Sequence, residues 1–118
     1  MQGEQDSKHA VSAEDYAASL KRLKRRIQED LSAKDVPFVF GQVLPYEPAL
    51  ERFAHRATIR ERMSQADGRS GHPNAIPNAW MVSTDKMPLL KDTVHYNAEG
   101  QLILGQTFAR TIRDARKQ

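Results

Sequence analysis

Asp35-Val36-Pro37-Phe38-Val39-Phe40-Gly41-Gln42-Val43-Leu44 is a short run of apolar, β-branched and aromatic residues held between Pro37 and Pro45. A run of this length without polar alternation reads as a strand buried on both faces. Upstream, Tyr16, Leu20, Leu23, Ile27 and Leu31 recur at helical spacing, which places all five on one stripe expected to face a core. Ser12, with Asp15 three residues on, offers an N-cap close to a capping box, and that helix is expected to reach about Ala33. Residues 1–11 ahead of it are polar and irregular. Downstream, Pro48 suits the first turn of a second helix, from about Ala49 to Gln65, with Leu50, Phe53, Ala57, Ile59 and Met63 on a less regular stripe.

Residues 66–78 are dense in Gly, Pro, Asn and Ser and therefore read as a loop, after which Ala79-Trp80-Met81-Val82-Ser83 reads as a second short strand. Residues 84–96 have no regular period. Asn97 then caps a last helix from Ala98 to about Arg116, with Leu104, Phe108, Ile112 and Ala115 on its buried stripe and Leu102 and Ile103 beside it. Helix, strand, helix, strand, helix is the order of the α/β class, in which parallel strands are joined by helical crossovers. Two strands are few for a sheet covered on both faces, so a neighbour or a further segment is expected to complete it.

The chain has 118 residues, which allows one domain over 1–118 and excludes a two-domain enzyme. Hydrophobic residues make up 39% and mean hydropathy is −0.68, enough for a modest core and too apolar for a fully disordered chain. No stretch approaches the roughly 18 consecutive apolar residues of a membrane helix, and Met1–Asp6 lacks the basic and apolar regions of a signal peptide, so no membrane partner is expected. There is no cysteine, hence neither a disulfide framework nor a thiolate metal site, and the compartment stays open.

Lys and Arg number 18 against 15 Asp and Glu, a formal excess of +3. Much of the positive charge lies in Lys21-Arg22-Leu23-Lys24-Arg25-Arg26 and in residues 110–117. A nucleic-acid interface would add stacking aromatics to such a patch. The first segment supplies only Tyr16, on the stripe expected to be buried. Both segments therefore read as solvated helix faces, and no nucleic-acid partner is expected.

Four features could carry chemistry: Gln2-Gly3-Glu4-Gln5-Asp6, the loop with Ser70 and His72, Asp85 after the second strand, and Asp92-Thr93-Val94-His95. An acid three residues before a His on an irregular segment can set a carboxylate beside the imidazole, fixing its tautomer and stabilising the imidazolium formed when it takes a proton. The same spacing also serves a loop hydrogen bond or a helix-capping arrangement. Ser70 lies between Gly68 and Gly71, but His72 stands where a nucleophile elbow requires glycine, so Ser70 reads as a loop residue. His72 and His95 lack a third ligand at useful spacing for a metal.

Taken in order, Met1–Asp6, Val36–Phe40, Trp80–Asp85, Asp92–His95 and Gly100–Ala109 resemble the sialate O-acetylesterase and acetylxylan esterase branch of the SGNH hydrolases, and the resemblance covers nearly the whole chain. It implies part of a three-layer α/β/α, flavodoxin-like fold with a short parallel sheet between helices. It implies a carbohydrate O-acetylesterase that works through a serine acyl-enzyme without metal or cofactor. Carried over by position, His95 would be the general base, Asp92 its orienting acid and Gln2 a side-chain donor to the oxyanion. Gly3 and Glu4 would complete the block that shapes the site, Glu4 in a structural role.

The family's nucleophilic serine lies in an earlier Gly-x-Ser block that has no counterpart here. The chain is thus expected to be the C-terminal portion of such a domain, acting on an acetylated carbohydrate only in the full enzyme. Phe38, Phe40, Trp80 and the helix stripes would lie partly uncovered, leading to self-association or to pairing with the missing N-terminal half. The alternative is a non-catalytic binding or assembly module derived from the same fold.

Overall fold

A computed structural model of the chain describes residues 3–44 and 53–117. Two four-residue strands, β1 (Phe38–Gly41) and β2 (Ala79–Val82), pair in parallel with Val39 opposite Trp80. Side chains alternate across a strand, so Phe38, Phe40, Ala79 and Met81 share one face, and Val39, Trp80 and Val82 the other. On the first face lies a core of Tyr16, Leu20, Val43, Ile59, Met63 and their neighbours, supplied by helices α1 (Ala10–Glu14), α2 (Tyr16–Asp30) and α3 (Arg56–Ala66). The last helix, α4 (Ala98–Ala115), packs on both strands, and the alternation assigns it the second face. The result is helix, sheet, helix in three layers, an α/β fold as expected.

The first helix is broken where the sequence predicts continuity. Ser12 lies inside α1 and caps nothing, and the backbone bends at Asp15 (φ −80°, ψ 2°). Hydrogen bonds persist through the bend, Asp15 N–H to the Val11 carbonyl at 3.0 Å and Ser19 N–H to the Asp15 carbonyl at 2.9 Å. The change of axis lets Ala13 of α1 and Tyr16 and Ala17 of α2 enter one core.

The five-residue stripe of α2 is buried only at Tyr16 and Leu20; Leu23 is 49% and Leu31 69% exposed, while Lys24 is buried. Length explains this. A 15-residue helix spans about 22 Å, whereas a four-residue strand spans about 13 Å, so the last turns of α2 overhang the sheet. The stripe of α4 is likewise only half-buried, and Leu102 is exposed, because two strands make a layer narrower than the helix face laid on it. Phe40 and Trp80, expected to be partly uncovered, are buried, each roofed by a helical layer, and only Phe38 is half-buried.

The start expected for the second helix, with Leu50, lies outside the described residues. Within them α3 buries Arg56, Ile59, Met63 and Ala66 at helical spacing, and Ala57 faces outward. The Arg56 guanidinium sits 4.9 Å from the centre of the Phe53 ring, which explains an arginine on the inner stripe.

The two long edges of the sheet differ. Along the outer edge of β2, Gly68 N–H donates to the Ala79 carbonyl (2.8 Å), the Asp67 carboxylate accepts from Met81 N–H (3.2 Å) and Arg69 donates to the Met81 carbonyl (2.9 Å). A Cβ on Gly68 would come within 2.8 Å of the Ile76 carbonyl oxygen, so the strand requires glycine there for this close approach. The outer edge of β1 has no strand beside it among the described residues.

Ile59 is fully buried, so Ile59→Val should cost about 1 kcal/mol, read from urea unfolding. Gly100→Ala should cost about 1–3 kcal/mol, because its Cβ would run into the Pro88 carbonyl oxygen. An alanine variant as stable as the parent would contradict the packing of Pro88 on α4.

Candidate active site

Active sites of open α/β sheets form beyond the carboxyl ends of the strands, where loops converge. Here the segment leaving β2 runs from Thr84 to Asn97. It closes on itself by an antiparallel bridge between Leu89 and Tyr96, by Leu90 N–H donating to the His95 carbonyl (2.8 Å) and by Asn97 N–H donating to the Pro88 carbonyl (3.2 Å). Asn97 then caps α4, its side-chain oxygen accepting from Gly100 N–H at 2.8 Å, as the sequence predicts. The turn that carries His95 is therefore tied directly to the helix behind it.

Inside this turn the Asp92 carboxylate is fully used. Oδ1 accepts from the backbone N–H groups of Val94 and His95, both at 3.0 Å, and Oδ2 lies 2.6 Å from His95 Nδ1. Thr93, between them, adopts φ 60°, a left-handed conformation that folds the chain back so that one carboxylate reaches all three donors. The backbone bond from His95, then its side chain, then the Val94 N–H hold the Asp92 carboxyl at about 2, well below the usual carboxylate range. An ionised carboxylate only accepts, so Nδ1 carries the proton of the neutral imidazole and the lone pair is on Nε2. With 74% of the His95 side chain and 47% of the Asp92 side chain exposed, Nε2 is open to a proton donor. One arrangement thus serves both readings of the spacing: it orders the loop, and it aligns an acid with a base.

Gly3 and Glu4 approach the same end of the sheet by another route. Gly3 takes φ +131°, and a Cβ there would press within 2.8 Å of Val43 and 3.0 Å of Met63, so the block is anchored against the residue that leaves β1. Ser7 fastens it further, N–H to the Gly3 carbonyl (3.0 Å) and Oγ to the Glu4 carbonyl (2.6 Å). The charge of Glu4 is felt at Tyr96, the residue after His95. Burial, and then Glu4, push that phenol up, against a hydrogen bond with Thr84 and the charge of Arg60. Gln2 lies outside the described residues.

Asp85, singled out in the sequence, pairs with Arg60 at 2.7 Å, and Arg60 also donates to the Val43 carbonyl. Thr84, fully buried, donates to the Gln42 carbonyl at 2.7 Å. Arg60, Thr84 and Tyr96 thus join the ends of β1 and β2 to the His95 turn. Sequence reasoning did not single them out; the only signal available was the position of Thr84 just past a strand end.

Ser70 serves its loop. Its hydroxyl donates to the Gln65 carbonyl (2.9 Å) and accepts from His72 N–H (3.1 Å), while His72 Nδ1 accepts from Asn74 N–H (3.1 Å). Among the described residues no three His, Cys, Asp or Glu side chains gather as a metal site.

A family model described as carbohydrate esterase, sialic acid-specific acetylesterase, matches residues 1–114. Among solved structures, a protein from Arabidopsis thaliana determined by X-ray crystallography is similar in fold, with a TM-score of 0.77 and 23% identity over 96% of this chain. The match covers 41% of that protein, so this chain spans about two-fifths of its length. No curated protein matches. A family match that runs unbroken from the Gln2-Gly3-Glu4 block through the Asp92–His95 turn and nearly to the end of α4 makes this chain a member of the carbohydrate esterase family of sialic acid-specific acetylesterases.

Proposed function

We propose that this chain carries the acid–base part of a carbohydrate O-acetylesterase of the SGNH serine-hydrolase type, and that the nucleophilic serine is supplied by a segment outside these 118 residues. The observation that carries the reading is the 2.6 Å contact between Asp92 and His95 Nδ1, which directs Nε2 outward as a base. In the reaction His95 Nε2 takes the proton of the serine hydroxyl as its oxygen bonds to the acetyl carbon. The carbonyl electron pair moves onto oxygen, where a donor such as the Gln2 amide stabilises it. The ester bond to the sugar then breaks, and His95 returns its proton to the departing sugar oxygen. Water repeats the sequence on the acyl-serine and releases acetate. Asp92 stays ionised throughout and balances the imidazolium.

Two observations support a serine from elsewhere. None of the described serines stands in a nucleophile elbow, and Ser70 is committed to its loop. The similar Arabidopsis protein is more than twice as long as the part matched. The edge of β1 that has no neighbour among the described residues is where a strand of the additional segment would pair, and a second copy of the chain is the competing occupant.

The chain alone should hydrolyse 4-nitrophenyl acetate no faster than a solvent-exposed imidazole, and a fluorophosphonate probe should label no serine. Joined to a serine-bearing N-terminal segment it should release acetate from an O-acetylated sugar, with His95→Ala and Asp92→Asn lowering kcat by about 10²–10⁴. Labelling of Ser70 would overturn the assignment of the nucleophile. An unchanged rate in His95→Ala would remove His95 as the base, and no release of acetate by the joined protein would favour the non-catalytic binding or assembly module.

Asp92 has a folded-state value near 2, below its unfolded value near 4, so its contribution to the turn is whole above about pH 4 and is lost as pH falls toward 2. The amide NMR shifts of Val94 and His95 should titrate together near pH 2 and lose that transition in Asp92→Asn.

A further inference from the structure

The overhang of α2 leaves a cleft of about 500 Å³ between that helix and the loop entering β2. Its walls hold four cations, Lys21, Arg22, Lys24 and Arg25, against one carboxylate, Asp35. The cleft thus carries a formal local excess of three positive charges. Ile76 and Pro77 form an apolar strip along the opposite wall.

The cleft is built, and it is distinct from the His95 turn. Lys24 Nζ donates to the Pro77 carbonyl, joining helix to loop, and burial lowers the pKa of this ammonium while Asp35 opposes the shift. Asn78 Nδ2 donates to the Asp35 carbonyl at 2.6 Å and approaches its carboxylate at 3.2 Å, fixing the acid at the far end. With Lys24 and Asp35 held in this way, Lys21, Arg22 and Arg25 remain to meet a ligand. Arg22 donates to the Ser19 hydroxyl at 2.9 Å, and Arg25 has a long, exposed pairing with Glu29 at 3.6 Å. Asp35 precedes β1 and Pro77 precedes β2, so the cleft lies at the amino ends of the strands, whereas the Asp92–His95 turn lies beyond the carboxyl end of β2.

We infer that this cleft binds a carboxylate-bearing oligosaccharide, its acid groups on Lys21, Arg22 and Arg25 and the C–H face of a sugar ring on Pro77. Charge complementarity selects an anion, and guanidinium groups match carboxylates in paired hydrogen bonds. An apolar strip facing a row of cations suits a ring with one apolar face and an acidic substituent. The choice of a sugar rests on the esterase reading, for which the cleft would hold an acidic glycan at a distance from the ester being cleaved. The uronate and sialate classes share this chemistry.

Binding can be read without hydrolysis. The whole chain is titrated with tetragalacturonate, with uncharged xylotetraose, with a sialic acid oligomer and with a single-stranded oligonucleotide of equal charge, following amide NMR shifts. At least one acidic sugar should bind, with shifts centred on residues 18–28 and 76–78, and xylotetraose should not. Arg22→Ala combined with Arg25→Ala should raise Kd at least tenfold, and His95→Ala should leave it unchanged. Raising the ionic strength to about 0.5 M should weaken binding several-fold. Equal binding of xylotetraose, an acidic sugar indifferent to the double variant, or no binding of either acidic sugar would overturn the inference. So would tighter binding of the oligonucleotide in the same cleft. Failure of the esterase reading would appear as an inactive His95 with the binding intact.

Discussion

The parallel pairing of β1 with β2 is the constraint on which the rest of the molecule depends. Register sets Val39 against Trp80, and with it which side chains face α2 and α3 and which face α4. A slip of β2 by one residue would turn that strand over and place Met81 under α4. Because the strands run in the same direction, their carboxyl ends lie together, and the segments leaving them meet there: Gln42 and Val43 from one, Thr84 and Asp85 from the other. Arg60 bridges the two groups from α3. The site therefore exists because two short strands point the same way.

The Asp92 carboxylate shows how a chemical group is oriented without being buried. Both partners are substantially exposed, so a low-dielectric environment contributes little, and the geometry comes instead from two backbone N–H groups that hold Oδ1 while Oδ2 meets the imidazole. An exposed ion pair by itself contributes little to stability. Here the Leu89–Tyr96 bridge and Asn97 at the start of α4 close the loop from outside, and the Asp92 carboxylate orders the turn within it while meeting the imidazole.

The two ends of the sheet have opposite characters. At the carboxyl ends, Arg60 is matched by Asp85, and the ionised Asp92 is matched by its donors. At the amino ends, α2 sets Lys21, Arg22, Lys24 and Arg25 against the single carboxylate of Asp35, beside Ile76 and Pro77. This division is a consequence of length. The helix outruns the strands, and Lys21, Arg22, Lys24 and Arg25 line the cleft beside it; the sequence shows this segment to be basic but gives no reason to place it beside Pro77.

Local rules determined what local chemistry controls. The turn-rich loop before Ala79 and the Asn97 cap depend on residues close in sequence and are found as expected, while the strand expected over 35–44 forms at 38–41 alone, with Phe38 and Val39 only half-buried. The Asp92–His95 spacing likewise contains its own geometry, since a four-residue turn can bring carboxylate and imidazole together without help from elsewhere. Tertiary structure decided the rest. The bend at Asp15, the exposure of Leu23 and Leu31, the burial of Lys24 in place of a leucine and the meeting of Glu4, Arg60 and Thr84 around Tyr96 depend on how much sheet there is to cover and where it ends. Periodicity reports which residues share a face of a helix; the area of the opposing layer, set by residues far away in the chain, decides how many of them are buried.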